Sequence, residues 1–155
     1  MTVDLVLARM THLVVAAIWA GTVCYVALSV VPAARDGVFT TTDPLTTLLG
    51  TLKRISRASS LILLLTGGHL AGRIYTSESL VSTTNGKLVL LMTFLWLVLT
   101  ALVEVAASRF ETGLDAKQLR QPARDTLFLF RAAALVSIAL LFVAGAITTN
   151  AAGLF

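Results

Sequence analysis

Long apolar runs with few charges dominate the chain, and their spacing predicts four membrane-spanning helices. No Asp, Glu, Lys or Arg occurs between Arg9 and Arg35, and none occurs after Arg131. These two runs predict helices over about residues 7–32 and 127–150. Each is long enough to cross a hydrocarbon core of about 30 Å at about 1.5 Å per residue.

Two shorter apolar runs, 58–72 and 88–103, lie between the long ones. Each reaches spanning length only when the charged residues at its ends lie at the helix termini and extend towards the membrane interface. We therefore predict the second and third spans at about 55–75 and 86–108. Proline and Asn-Gly pairs are typical of breaks and loops. The first helix is expected to end at Pro32, and loops are expected at Asp43-Pro44, Asn85-Gly86 and Gln121-Pro122.

The composition favours a membrane protein. Of the 155 residues, 57% are hydrophobic and 13% are charged, and the mean hydropathy is +0.89. A soluble domain of this size leaves much of its surface in water and cannot hide so much apolar material. A transmembrane barrel needs apolar and polar residues to alternate with period two, which these runs do not do. The sequence therefore predicts an all-α integral membrane four-helix bundle with up-down-up-down topology, formed by residues 1–155 as a single domain.

The distribution of lysine and arginine predicts the orientation of the bundle. Basic residues of short loops concentrate on the cytoplasmic side. Nine of the twelve lie around the first and third loops, and three lie on the opposite side. We expect a multi-pass protein of the cell membrane with both termini outside, in contact with the lipid bilayer and not with nucleic acid. The nine are Arg35, Lys53, Arg54, Arg57, Arg109, Lys117, Arg120, Arg124 and Arg131; the three are Arg9, Arg73 and Lys87.

Both histidines of the chain lie inside predicted spans, near the outer ends. His12 is near the start of span one, and His69 is near the end of span two. Because antiparallel neighbours bring these ends together, the two imidazoles are expected at one depth in the outer half of the bilayer. Each has an arginine one turn nearer the surface, Arg9 at i−3 and Arg73 at i+4. Lys87, at the start of span three, adds a third cation.

This arrangement suits a b-type haem that stands edge-up in the bundle. Two neutral imidazoles, His12 and His69, would ligate the iron, and Arg9, Arg73 and Lys87 would meet the propionates. Helices in contact lie about 8–10 Å apart, so the haem is expected between non-contacting faces or in the bundle centre. Small residues near the histidines would leave room, and a tryptophan on span one would line the pocket. The tryptophan is Trp19; the small residues are Ala16, Ala17, Ala20, Gly21, Thr66, Gly67, Gly68 and Gly72.

Other interpretations stay open. A membrane histidine can bond a hydroxyl or carbonyl of a neighbouring helix, Gly and Ala faces commonly serve close packing, and basic residues anchor helix ends. Copper is the alternative metal, because two imidazoles can bind it, although its soft thioether ligands are scarce here. Met10 faces away from the span-one histidine, and Met92 lies deeper. Glu104, the one acid in a span, either handles protons or pairs with Arg57 or Arg109.

Three segments resemble the copper resistance protein D (CopD) family of membrane proteins. The likeness covers most of the chain from His12 to about Thr149 and implies copper uptake or handling. The same superfamily holds the haem-associated HemJ-type protoporphyrinogen oxidases, which are similar in a span-one histidine and a span-three lysine, here His12 and Lys87. The segments are His12-Leu-Val-Val-Ala-Ala-Ile-Trp-Ala-Gly21, Arg54-Ile-Ser-Arg-Ala-Ser with Leu-Thr-Gly-Gly68, and Asn85-Gly-Lys-Leu-Val-Leu-Leu-Met92.

We thus expect a haem-binding membrane protein that transfers electrons, alone, as a homo-oligomer, or as a small subunit beside a membrane redox partner. Copper handling and porphyrinogen oxidation are the alternatives that the resemblance implies. A purely structural subunit, whose polar groups only pack, is the fourth interpretation.

Overall fold

The structure is a computed structural model that describes the backbone of residues 3–151 and the side chains of residues 3–149. All regular structure in that part of the chain is helical, which confirms the predicted all-α class. The helices are α1 (Val3–Tyr25), a π-helical turn (Val26–Val30), α2 (Val31–Asp36), α3 (Asp43–Ile74), α4 (Ser77–Ser82), α5 (Thr84–Asp115) and α6 (Arg120–Ala151).

Three helical segments are long and apolar enough to cross a membrane: Val3–Asp36, Thr84–Asp115 and Arg120–Thr149. They correspond to the predicted first, third and fourth spans. The predicted second span lies in α3, which has 32 residues. α3 is not one of the three segments that are apolar enough to cross a membrane. Its apolar run is the shortest of the four and is flanked by Arg57 and Arg73.

Two prolines begin helices at positions where we predicted loops. Pro44 occupies the first turn of α3, and Pro122 is the third residue of α6. Proline suits the first turn because an N–H there has no helical acceptor and the ring already fixes φ near the helical value. The predicted loops at Asp43-Pro44 and Gln121-Pro122 are therefore wrong.

The expectation that Pro32 ends the first helix is also wrong. The preceding turn, Val26–Val30, is π-helical, and the N–H of Val31 donates to the carbonyl of Val26, five residues earlier. Proline has no N–H and clashes with the carbonyl four residues before it, and the wider π turn lets the helix continue past that position. The helix ends at Gly37, whose φ of +82° lies in the left-handed region that glycine tolerates.

The break between the second and third spans comes earlier than predicted. Asn85 and Gly86 belong to the first turn of α5, where the Thr83 hydroxyl accepts the Gly86 N–H at 3.0 Å. The connection is residues 75–83, which include α4. A Cβ at Gly86 would overlap the carbonyl of Ser79, so the close approach of α4 requires glycine there.

The four long helical segments contact one another in cyclic order: α1 with α3, α3 with α5, α5 with α6, and α6 with α1. Consecutive long helices are antiparallel. One side-chain pair for each of these contacts fixes the register. The pairs are Trp19–Ser56, Arg57–Glu104, Phe110–Phe130 and Cys24–Ser137.

The buried core occupies only one half of this arrangement. Its largest members include Trp19, Phe110 and Phe130, each at most 2% exposed. At the other end, four helical segments contain no buried residue, and we call these four segments together the open half. These segments are 3–18, 64–74, 87–98 and 138–149. Both histidines lie in the open half.

Candidate functional site

His12 has one ring nitrogen bound and the other without a hydrogen-bond partner among the described residues. Its Nδ1 lies 2.8 Å from Oγ1 of Thr66. That hydroxyl donates to a carbonyl of its own helix, at 2.7 Å from the Ile62 oxygen. Because a hydroxyl has a single proton, the bond from His12 requires a hydrogen on Nδ1. In the neutral ring, Nε2 therefore carries the lone pair.

This arrangement is shared by histidines that bond a neighbouring helix and by histidines that bind a metal ion. A donor bond from one ring nitrogen fixes the tautomer and the ring plane, and it makes the other nitrogen a better ligand. The ring of His12 also packs on Gly67, where an added Cβ would lie 3.1 Å from Cε1. The imidazole is therefore held on two sides, and it fills the contact between α1 and α3 at that depth.

His69 is directed to a different place. Its Nε2 lies 3.4 Å from Oδ2 of Asp4, and Nη2 of Arg73 lies 3.4 Å from the same oxygen. These contacts join the last turn of α3 to the first turn of α1. Residues two apart on an α-helix project about 200° apart around its axis. The Cα–Cβ directions of positions 67 and 69 therefore differ, although Gly67 contacts His12 and His69 contacts Asp4, both on α1.

The two imidazoles also differ in depth. His12 is level with Thr66, and His69 lies about one helical turn nearer the end of α3. Asp4, near the start of α1, is the acid that His69 contacts. The structure therefore does not bring the two rings into contact with each other, although both lie in the open half.

The three expected cations have different surroundings. Arg73 contacts Asp4, as described. Arg9 is half-buried on α1, one turn nearer the end of the helix than His12, and Lys87 is exposed in the first turn of α5. Neither Arg9 nor Lys87 forms an ion pair within residues 3–149.

Trp19 belongs to the core. It is 2% exposed, and its indole N–H donates to Oγ of Ser56 at 3.0 Å. It lies two turns deeper than His12 on the same face of α1. Trp19 therefore forms the floor of the open half, below the histidine.

Trp96 is the residue that the sequence interpretation missed. Its indole nitrogen is buried and has no hydrogen-bond partner within the described residues. The depth of Trp96 follows from the Arg57–Glu104 pair, which places these two residues at one level. Thr66 lies nine residues after Arg57 on α3, and Trp96 lies eight residues before Glu104 on the antiparallel α5. The unpaired donor therefore lies level with the bond between His12 and Thr66. Buried polar groups are nearly always paired, so this donor suggests an acceptor from a water or a ligand.

Glu104 is an ion-pair residue. Its carboxylate accepts from both Nε and Nη2 of Arg57, the former at 3.2 Å. A second pair, Lys53 Nζ to Glu111 Oε2 at 2.7 Å, also joins α3 to α5. Of the two roles that the sequence left open for Glu104, the structure shows the ion pair with Arg57.

Comparison with known proteins gives no neighbour. The chain matches no protein-family model, no curated protein and no solved structure. The resemblance to CopD and HemJ-type proteins therefore stays a prediction from three segments. Within the described residues, no three or more His, Cys, Asp and Glu side chains form a group that could hold a metal ion.

Proposed function

We propose that the four long helical segments cross the membrane as an up-down-up-down bundle with both termini outside. Their cyclic contacts and antiparallel neighbours support this topology. α3, the least apolar, lies between α1 and α5, so part of its surface is shielded from lipid. The open half then lies in the outer leaflet, and the nine basic residues around the first and third loops lie towards the cytoplasm.

We also propose that the open half binds a b-type haem with His12 as an axial ligand, and that the protein transfers electrons, alone or within a membrane redox complex. The tautomer of His12 carries this proposal. Its Nδ1–H is committed to Thr66, so Nε2 offers a lone pair from a ring that is already oriented. A bound haem would supply a one-electron redox couple.

The surroundings of His12 also support the proposal. A planar group has no room between α1 and α3 at this depth, because the imidazole packs directly on Gly67. The rest of the open half, where no residue is buried, is the place left for it. The unpaired N–H of Trp96 lies at the same depth, and Arg9 lies one turn nearer the surface, where a propionate would need a cation.

His69 as the second axial ligand stays a prediction from the sequence, and its contacts support a different role. To ligate the same iron, it would have to leave Asp4. In its observed position it joins Asp4 and Arg73 at the ends of α1 and α3. Variants of the two histidines are therefore expected to behave differently.

The test is the visible spectrum of the detergent-purified protein, oxidised and reduced, with iron and copper measured on the same sample. We expect about one haem iron per chain. The spectrum should be lost in His12→Ala and kept in His69→Ala. Loss in both variants would restore the bis-histidine site, and an unchanged spectrum in both would overturn the assignment of His12.

The same sample separates the alternatives that the sequence resemblance implies. A colourless protein with bound copper would replace the haem proposal with copper handling. Oxidation of a porphyrinogen by the wild-type protein would identify an oxidase. A colourless and metal-free protein from haem-replete cells would leave His12 as a packing residue.

A further inference from the structure

Two hollows adjoin at the open ends of α5 and α6. The larger has a volume of about 850 Å³, lies between these two helices, and is lined mainly by apolar side chains such as Leu88, Ile138 and Phe142. The smaller has a volume of about 390 Å³, and residues with hydroxyl or amide groups make up most of its lining, although most of the lining surface is apolar. The lining residues are Ile74, Tyr75, Ser79, Thr83, Thr84 and Asn85. Thr84 lines both. An apolar cleft beside a hollow that carries hydroxyl groups matches the two ends of an amphiphile.

We propose that these two hollows bind one anionic glycerophospholipid of the outer leaflet, with an acyl chain in the larger hollow and the phosphate at the smaller one. The proposal rests on the membrane placement described above, but not on the haem.

The polar hollow offers donors that suit a phosphate. The hydroxyls of Ser79 and Thr83 already form hydrogen bonds, because they cap the first turns of α4 and α5. Those of Tyr75 and Thr84 form no hydrogen bond with other described residues. Lys87 follows Thr84 by one turn and is exposed. Two hydroxyl donors beside an ammonium group suit an anionic phosphate.

The larger hollow offers space for hydrocarbon. A Cβ built at Gly145 meets nothing within 4 Å, and the ring of Phe142 is 77% exposed. Both helices that border the hollow are apolar enough to span a membrane, so hydrocarbon and not water surrounds it there. Nearer the core half the same two helices pack tightly, since a Cβ at Gly113 would overlap Pro122.

A phospholipid matches these features better than a second copy of the chain does. A helix from another copy would cover the apolar cleft. It would leave the hydroxyls of Tyr75 and Thr84 and the charge of Lys87 without a matching group. A phospholipid supplies both a chain and an anion in one molecule.

Native mass spectrometry of the delipidated protein, titrated with phosphatidylglycerol, tests the proposal. We expect one tightly bound lipid in the wild type. Gly145→Leu should weaken its binding about tenfold, because the new side chain displaces the equivalent of two or more methylenes from the cleft. Gly21→Leu is the matched control, since Gly21 also has open space but lies on α1. Ala146→Leu, in the same cleft, repeats the test if Gly145→Leu does not fold.

The charge is tested in the same titration. Lys87→Gln should weaken phosphatidylglycerol binding about fivefold, because a basic residue at the surface contributes about 1 kcal/mol. Lys117→Gln, an exposed lysine between α5 and α6, should have no effect. The haem content should equal that of the wild type in Gly145→Leu, Ala146→Leu and Lys117→Gln, which change none of the residues expected at the haem. This separates the lipid test from the haem test.

Three results would overturn the proposal. The first is the absence of lipid binding in the delipidated wild type, and the second is that the control variants weaken binding as much as the cleft variants. The third is a dimer that dissociates in Gly145→Leu while lipid binding stays unchanged, which would show that the cleft is an interface between two copies.

Discussion

Replacing Thr66 with valine removes the hydroxyl that holds His12 while keeping the shape of the side chain. In the wild type, Nδ1 of His12 donates to this hydroxyl over 2.8 Å, across the contact between α1 and α3. After the substitution the N–H has no acceptor in a half-buried position. The unsatisfied donor should lower the free energy of unfolding by about 1–3 kcal/mol, and this includes the lost hydrogen bond of about 1 kcal/mol.

The effect on ligand binding should be comparable in free energy with the effect on folding, because a tenfold change in affinity corresponds to about 1.4 kcal/mol. A group that orients a metal-binding histidine typically contributes a factor of about 10–100 to affinity. We therefore expect Thr66→Val to weaken haem binding by about that factor and to shift the reduction potential, because Nε2 becomes a weaker ligand. The measurements are a haem titration of the detergent-solubilised apoprotein and a redox titration of the holoprotein.

Thr100→Val provides a matched control. The hydroxyl of Thr100 also donates to a carbonyl four residues earlier in its own helix, that of Trp96, at 2.9 Å. It has no hydrogen bond to another helix among the described residues. Equal haem affinity in Thr66→Val and Thr100→Val would refute the reasoning, because the local bond would then matter and the bond to His12 would not.

Three further substitutions test the remaining geometry. Gly67→Ala should weaken haem binding several-fold, because its Cβ would lie 3.1 Å from the ring of His12. Gly68→Ala is the control, because its Cβ would meet nothing within 4 Å and the variant should bind haem as the wild type does. Equal haem affinities of the two variants would show that the ring of His12 has room to move. Trp96→Phe should weaken haem binding by about five- to tenfold, the effect of one lost hydrogen bond of about 1 kcal/mol, with an apoprotein Tm close to that of the wild type; unchanged affinity would show that the N–H does not serve the ligand. Glu104→Gln should lower the Tm slightly in low salt and less in high salt, because its exposed ion pair is screened; a large loss independent of salt would contradict this.

The sequence predicted the apolar helices well because long runs without charge are long and apolar enough to cross a membrane. A run without charge, such as the one from Arg9 to Arg35, has few ways to satisfy its backbone in lipid other than a helix. The ends of the helices were predicted less well. Pro44 and Pro122 were interpreted as loop residues, although proline is equally suited to the first turn of a helix. Proline alone does not distinguish a helix that ends from one that begins.

The partners of the histidines could be predicted only in part. The sequence placed His12 and His69 in the same half of the molecule, because depth depends on counting residues along helices. Which residue each faces depends on the rotation of the helices, and an error of two residues reverses the side of a helix. The bond from His12 to Thr66 and the contact of His69 with Asp4 both depend on that rotation.

The contrast between the two halves of the molecule links these observations. Protein interiors are normally close-packed, and the core half, with Phe110 against Phe130, follows that rule. In the open half, Nε2 of His12 and the indole N–H of Trp96 form no hydrogen bond with other described residues. A Cβ at Gly145 would meet nothing within 4 Å. A ligand that binds only the folded protein raises its stability by mass action. Haem and phospholipid should therefore each raise the Tm, and His12→Ala should abolish the first increase while Gly145→Leu reduces the second.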